Sequence, residues 1–118
     1  MTDMEGIVHV FQAFADPTRL RLLNLLRHEK ELCVCDLSAA LSEEQPKVSR
    51  HLAILRQANL VSVRNEGRWK FYELARKTPK LQRRLLRSLD AVNPLETEDT
   101  FGNDQQRMAG LVLRLRCR

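Results

Sequence analysis

From residue 5 to residue 28 the apolar positions recur with helical spacing. Ile7, Val8, Phe11, Phe14 and Ala15 mark a first helix, which Asp16-Pro17 ends while supplying an N-cap and a first-turn proline to the next. The second helix is expected from about 17 to 28. Its leucines, Leu20, Leu22, Leu23, Leu25 and Leu26, form a stripe wide enough to be buried on two sides, so this helix should sit at the centre of the core. The run Glu31 to Cys35 is too short and too apolar for a helix of its own. Asp36 reads as the N-cap of a short helix, Leu37 to Leu41, which would place Cys33 and Cys35 at a helix N-terminus. Ser42 to Gln45 makes a short turn, Pro46 fits the first turn of a further helix, and Val48, Leu52 and Leu55 face inward along it. Helix, short turn and helix in succession predict a helix-turn-helix. Asn59 suits the left-handed residue that closes a helix, with Leu60 packing back, so the second motif helix should end near Ala58.

The period then changes. Val61 and Val63 alternate, Asn65-Glu66-Gly67 supplies turn chemistry, and Trp69 to Leu74 is rich in aromatic residues, which predicts a β-hairpin. Trp69, Phe71 and Tyr72 are expected to pack on the core or on a dimer seam rather than to stack on bases. Pro79 can open another helix, with Leu81, Leu85, Leu86, Leu89 and Val92 in an apolar stripe. That is one stripe more than a small core needs, and it suggests self-association. Residues 93 to 104 are polar and acidic, with Pro94 and Gly102, and read as a linker, whereas Met108 to Arg118 fits no single pattern. The expected fold is mostly α with a β-hairpin: a dimeric winged helix-turn-helix over residues 1–92, dimerisation helices at both ends, and a flexible C-terminal tail over 93–118.

Composition narrows the function. With 118 residues one domain is expected, and the net charge of +5, with the cations concentrated after position 46, favours an anionic partner. The start lacks the basic flank and apolar run of an export signal, and no stretch is apolar for long enough to span a membrane, so a cytoplasmic protein without membrane contact is expected. Of three cysteines, two are separated by one residue. In a reducing compartment they would remain thiols, which points to metal binding or redox chemistry. A dithiol oxidoreductase would want Cys-x-x-Cys in a βαβ setting, and neither is present, so no enzyme and no catalytic cofactor are expected.

The second motif helix leaves hydrogen-bonding side chains off its apolar stripe near the end that enters a major groove. Gln45, Lys47, Ser49, Arg50 and His51 are the expected groove contacts, and Arg56, Arg64 and Arg68 the expected phosphate contacts, the last two flanking the hairpin tip. Double-stranded operator DNA and a second copy of the chain are the expected partners. His9 and His28 have no ligand partners in the sequence and are expected to be structural.

The runs Glu31-Leu32-Cys33-Val34-Cys35-Asp36-Leu37, Gln45 to Val61 and Glu66 to Leu74 together resemble the ArsR family of metalloregulatory repressors, in its arsenite-responsive branch, over about residues 8 to 91. The resemblance implies a homodimeric repressor of an arsenic-resistance operon that leaves its operator when trivalent arsenic or antimony binds Cys33 and Cys35. Two departures stand out. Members of this branch often carry a further Cys three residues after the second, where this chain has Ser38, and the last helix offers no His for a zinc site. The third arsenic ligand is therefore left among Cys117, a small cellular thiol and hydroxide.

The residues support this reading independently. Soft thiolates select thiophilic ions over calcium or magnesium. A helix N-terminus tends to lower a thiol pKa, although Glu31 and Asp36 oppose that here. The alternative is a repressor of the same fold that responds to thiol oxidation or to cadmium or lead.

Overall fold

The computed structural model describes residues 3–92 and 100–116. Helix α1 (Met4–Phe14) starts at Asp3, whose carboxylate accepts the Gly6 amide at 2.8 Å. Helix α2 (Pro17–His28) starts at Asp16, which accepts the Arg19 amide at 3.0 Å, with Pro17 in the first turn. Such caps satisfy amides that no helical carbonyl can reach. As the leucine stripe predicts, α2 is central: Leu22, Leu23, Leu25 and Leu26 are all buried. Helix α1 behaves differently, because it buries only Val10 and Ala13, while Met4, Val8 and Phe11 lie 73, 42 and 49 % exposed along its outer face.

The chain then enters a short strand, β1 (Leu32–Cys33), and passes without a loop into α3 (Val34–Leu41). This corrects the expected helix start. Asp36 lies in the first turn, and the N-cap is Cys33, which makes no side-chain capping bond. The reason is non-local. Leu32 and Cys33 pair antiparallel with Tyr72 and Phe71, and that pairing fixes where the helix can begin.

Helix α4 (Gln45–Gln57) completes the helix-turn-helix, with Val48, Leu52 and Leu55 fully buried as expected. It closes at Asn59, whose φ of 60° is left-handed. The Asn59 amide reaches the Arg56 carbonyl and the Leu60 amide the Leu55 carbonyl, both at 3.0 Å, and the Leu60 side chain is buried. Strands β2 (Val61–Glu66) and β3 (Trp69–Leu74) form the hairpin, turning at Gly67, also at φ 60°. With β1 they make a three-stranded antiparallel sheet in the order β1-β3-β2. Tyr72 packs into the core as expected, but Trp69 at the hairpin tip is 53 % exposed.

Helix α5 (Lys80–Ser88) ends in a 3-10 turn, Leu89–Ala91, and buries Leu86 and Leu89 while Leu81 and Leu85 remain half-exposed. The expected flexible tail begins at residues 93–99, which lie outside the described residues. From Thr100 to Arg116 the chain forms a further helix, α6, laid on α2 and α3. Phe101, Asp104 and Met108 face inward from it, and Asp104 is fully buried. A carboxylate in an apolar row hides the amphipathic period from a sequence reading, and Arg21 of α2 supplies its counter-charge at 2.9 Å. Among the described residues, no helix is long and apolar enough to cross a membrane.

Candidate thiol site and nucleic-acid interface

The two cysteines stand at the junction of β1 and α3, with their sulfurs 3.4 Å apart. Cys33 ends the strand and is 8 % exposed, and Cys35, in the first turn of the helix, is half-buried. Burial pushes the Cys33 thiol up to about 12. The Asp36 backbone amide works against that rise, and the Cys35 side chain and the Asp36 carboxylate add to it. The lowering expected from the helix N-terminus is thus outweighed at Cys33, because the strand draws that residue into the sheet and away from water.

An ion bonded to two sulfurs at about 2.3 Å each, the zinc–thiolate length, can bridge sulfurs up to about 4.6 Å apart. The pair therefore fits one small thiophilic ion. Among the described residues, Cys, His, Asp and Glu form no cluster of three that could enclose a metal by themselves. Ser38 stands where the resemblance marks a third sulfur, but it is buried and its hydroxyl donates to the Glu43 carbonyl, closing the end of α3. Cys117 lies outside the described residues.

The strand gives the thiols a second neighbour that the sequence did not reveal. Cys33 pairs with Phe71, which also pairs with Arg64, and the Arg64 guanidinium lies 4.8 Å over the Phe71 ring. Arg64 is in turn bonded to Glu31 at 2.8 Å and to Glu66 at 2.7 Å. The thiol pair thus adjoins two further elements: α4 through α3, and the hairpin through β1 and β3. The signal for this was the apolar pair Leu32 and Cys33, too short to read as a strand by itself.

The expected DNA contacts fall into two groups. Gln45, Ser49, Arg50 and Arg56 are exposed on α4, and Arg68 is exposed beside Gly67 at the hairpin tip. Ser49 and Arg56 line a groove whose opposite wall is Val34, Lys70 and Tyr72, so α4 and the hairpin border a common hollow. The other three are engaged within the protein. Lys47 lies 3.1 Å from Glu43, and Arg64 is bound as described. His51 turns back toward α2, where Arg19 Nη1 donates to its Nδ1 at 3.1 Å and Asp16 lies 3.7 Å away. Burial holds the His51 pKa below its usual value; Asp16 opposes this, and the cations Arg19, Lys47 and Arg50 reinforce it. A neutral ring accepting at Nδ1 fits that bond. Arg19 also donates to the Ala13 and Gln12 carbonyls at 2.9 and 2.8 Å, so the same contact joins α1, α2 and α4.

Comparison with known proteins agrees with this architecture. The family described as bacterial regulatory protein, arsR family, matches residues 16–63. The arsenical resistance operon repressor of Escherichia coli (strain K12) is 47 % identical over 72 residues, which is 61 % of this chain and 62 % of the repressor, so the likeness spans less than two thirds of that protein. HlyU from Vibrio cholerae N16961 superimposes with a TM-score of 0.63 at 32 % identity, covering 75 % of this chain and 91 % of HlyU. A homodimeric winged helix-turn-helix DNA-binding domain from Mycobacterium bovis gives a TM-score of 0.64 at 26 % identity, covering 75 % of this chain and 78 % of that domain. The family and these relatives are transcription regulators rather than enzymes.

Proposed function

Because the chain belongs to the ArsR family of bacterial regulatory proteins, we propose that it is a homodimeric repressor of an arsenic-resistance operon, released from double-stranded operator DNA when trivalent arsenic or antimony engages Cys33 and Cys35. The observation that carries this reading is the pair of sulfurs 3.4 Å apart at the root of both DNA-facing elements. The name of the Escherichia coli relative supports the choice of arsenic.

Cys33 is held by the sheet and Cys35 by the helix, so drawing both sulfurs onto one ion pulls on the first turn of α3. The uncapped start of α3 offers little resistance to that pull. Helix α4 follows α3 after a short turn, so its face toward DNA shifts with it. Coupling between sites in proteins is typically about 1–3 kcal/mol, which weakens DNA binding roughly 5- to 150-fold, enough to derepress a gene.

On the DNA side, Gln45, Ser49 and Arg50 read bases while Arg56 and Arg68 hold phosphates, all five being open to solvent. Lys47 and Arg64 reach the backbone by exchanging Glu43 and Glu31 for phosphates. His51 anchors α4 on α2 at the edge of the groove. The exposed row Met4, Val8 and Phe11 on α1 and the half-exposed Leu81 and Leu85 on α5 supply the apolar faces for a second copy, and the homodimeric Mycobacterium bovis domain supports that assembly.

Mass spectrometry of the intact reduced protein tests the ligand. After arsenite, one arsenic per chain should appear and be lost in a Cys33→Ser, Cys35→Ser variant. If arsenite leaves the mass unchanged while mild peroxide removes two hydrogens, the pair senses oxidants instead.

A further inference from the structure

The carbonyls that end α3 all have partners, two of them in the turn that follows and two in distant parts of the chain. The Glu43 and Ser42 amides take the carbonyls of Ser38 and Ala39 at 3.1 and 3.2 Å, with Ser42 in the left-handed region at φ 55°. The last two carbonyls go to guanidinium groups. Arg107 Nε donates to Ala40 at 2.5 Å, and Arg21 Nη2 donates to Leu41 at 2.8 Å. One carboxylate aims both arginines. Asp104 accepts Arg21 Nε and Nη2, each at 2.9 Å, and Arg107 Nη2 at 2.7 Å. Asp104 itself is 0 % exposed.

A carboxylate at that depth is costly unless it is paired and hydrogen-bonded, as it is here. Cations at a helix C-terminus also suit the helix dipole. What matters is where the arginines land. Ala40 and Leu41 are the last residues before the Ser42–Glu44 turn, and Glu43 in that turn is 3.8 Å from Arg21 and 3.1 Å from Lys47 of α4. Arg21, Asp104 and Arg107 therefore close on the segment that sets the direction in which α4 leaves α3.

We infer that Asp104 is a positioning residue for DNA recognition: through Arg21 and Arg107 it locks the C-terminal end of α3, and so α6 fixes the angle at which α4 meets the groove. The inference rests on the DNA-binding reading above. It goes beyond that reading by bringing the C-terminal helix, which need not touch DNA, into the recognition machinery. An α3 pinned at this end answers a pull at Cys33 and Cys35 by pivoting about the turn.

The test is Asp104→Asn in the full chain, which keeps the side-chain shape and removes its charge, under conditions where a denaturant titration shows it folded. Affinity is measured for a duplex from upstream of the protein's own gene and for an unrelated duplex of equal length, and amide exchange is followed in the DNA-free protein. Operator affinity should fall about tenfold, while unrelated DNA, held by charge, stays within about twofold. Amides of residues 42–45 and 47 should exchange faster while those of α5 do not. Equal losses on both duplexes, or unchanged operator affinity with a lower denaturation midpoint, would show that Asp104 only stabilises the fold. If Asp104→Asn fails to fold, Arg107→Gln keeps the Arg21–Asp104 pair, frees the Ala40 carbonyl, and is judged by the same outcomes. If the wild-type protein itself does not prefer the operator, the DNA-binding reading fails. Exchange then decides the lock: acceleration confined to residues 42–45 and 47 supports it, and uniform acceleration overturns it.

Discussion

Helix α3 is held in opposite ways at its two ends. At the start, Cys33 caps it without a side-chain capping bond, and the two sulfurs lie 3.4 Å apart. At the finish, each of the last carbonyls has a donor, and a buried carboxylate orders the two arginines that supply two of them. In the proposed switch the first end is the one that an ion would pull, while the second transmits. A helix equally firm at both ends would resist a ligand, and one loose at both would absorb it. Under the proposed function, this asymmetry is what would give an ion at the thiols a lever on α4.

The comparison can be broken most directly through stability. Asp104→Ala leaves two guanidiniums without their counter-charge and should cost about 3 kcal/mol in a denaturant titration. Cys33→Ser, at the loose end, should cost about 1 kcal/mol. Similar costs at both ends would remove the asymmetry. The double change Cys33→Ser, Cys35→Ser should leave operator affinity intact but abolish the roughly 5- to 150-fold weakening by arsenite.

Next in size are the residues proposed to meet DNA. Arg50→Ala should lose about 1–3 kcal/mol on the operator and relax its specificity, whereas Arg68→Ala should weaken all sequences alike and lower the salt slope by about one. Equal losses from Arg50→Ala on operator and unrelated DNA would reverse those roles. Ser38→Cys sharpens the picture within α3, because it trades the hydroxyl that closes the firm end for a third thiol. Arsenite should bind about tenfold more tightly, a gain of about 1.4 kcal/mol, while the protein becomes less stable. Unchanged arsenite affinity would place Ser38 out of reach of the thiols.

The smallest effect concerns His51. Its pKa is lower in the folded protein than in the unfolded chain, so the unfolded state binds more protons in between. The stability due to a neutral His51 is complete above the unfolded value of about 6.5 and is lost as pH falls from there through the folded value. Denaturation midpoints at pH 7.5 and 5.5 should therefore differ more in the wild type than in His51→Gln. An equal difference would mean that the Arg19 contact does not depend on a neutral ring.

Much of this was legible from local signals. Asp16-Pro17, Gln45-Pro46 and Asn59-Leu60 punctuate the helices through their own backbone preferences, and the alternation around Gly67 gives the hairpin. The cysteine pair stood out by spacing alone. What the sequence concealed depends on contacts between residues far apart along the chain. The strand Leu32–Cys33 exists because Phe71 and Tyr72 pair with it. Helix α6 was obscured by Gly102 and Gly110 and by Asp104, a carboxylate in the row Phe101, Asp104, Met108 and Leu111, whose spacing would have revealed the helix had the acid been counted as inward. The inward turn of His51 likewise follows from Asp16 and Arg19, more than thirty residues earlier.

The measurement that tests the central claim most directly is fluorescence anisotropy of a labelled duplex from upstream of the protein's own gene, titrated with reduced protein at fixed salt and then with arsenite. Tight binding that arsenite reverses in the wild type, but not in the Cys33→Ser, Cys35→Ser variant, is the predicted result. Binding that persists in saturating arsenite, with arsenic seated on both sulfurs, would contradict the account.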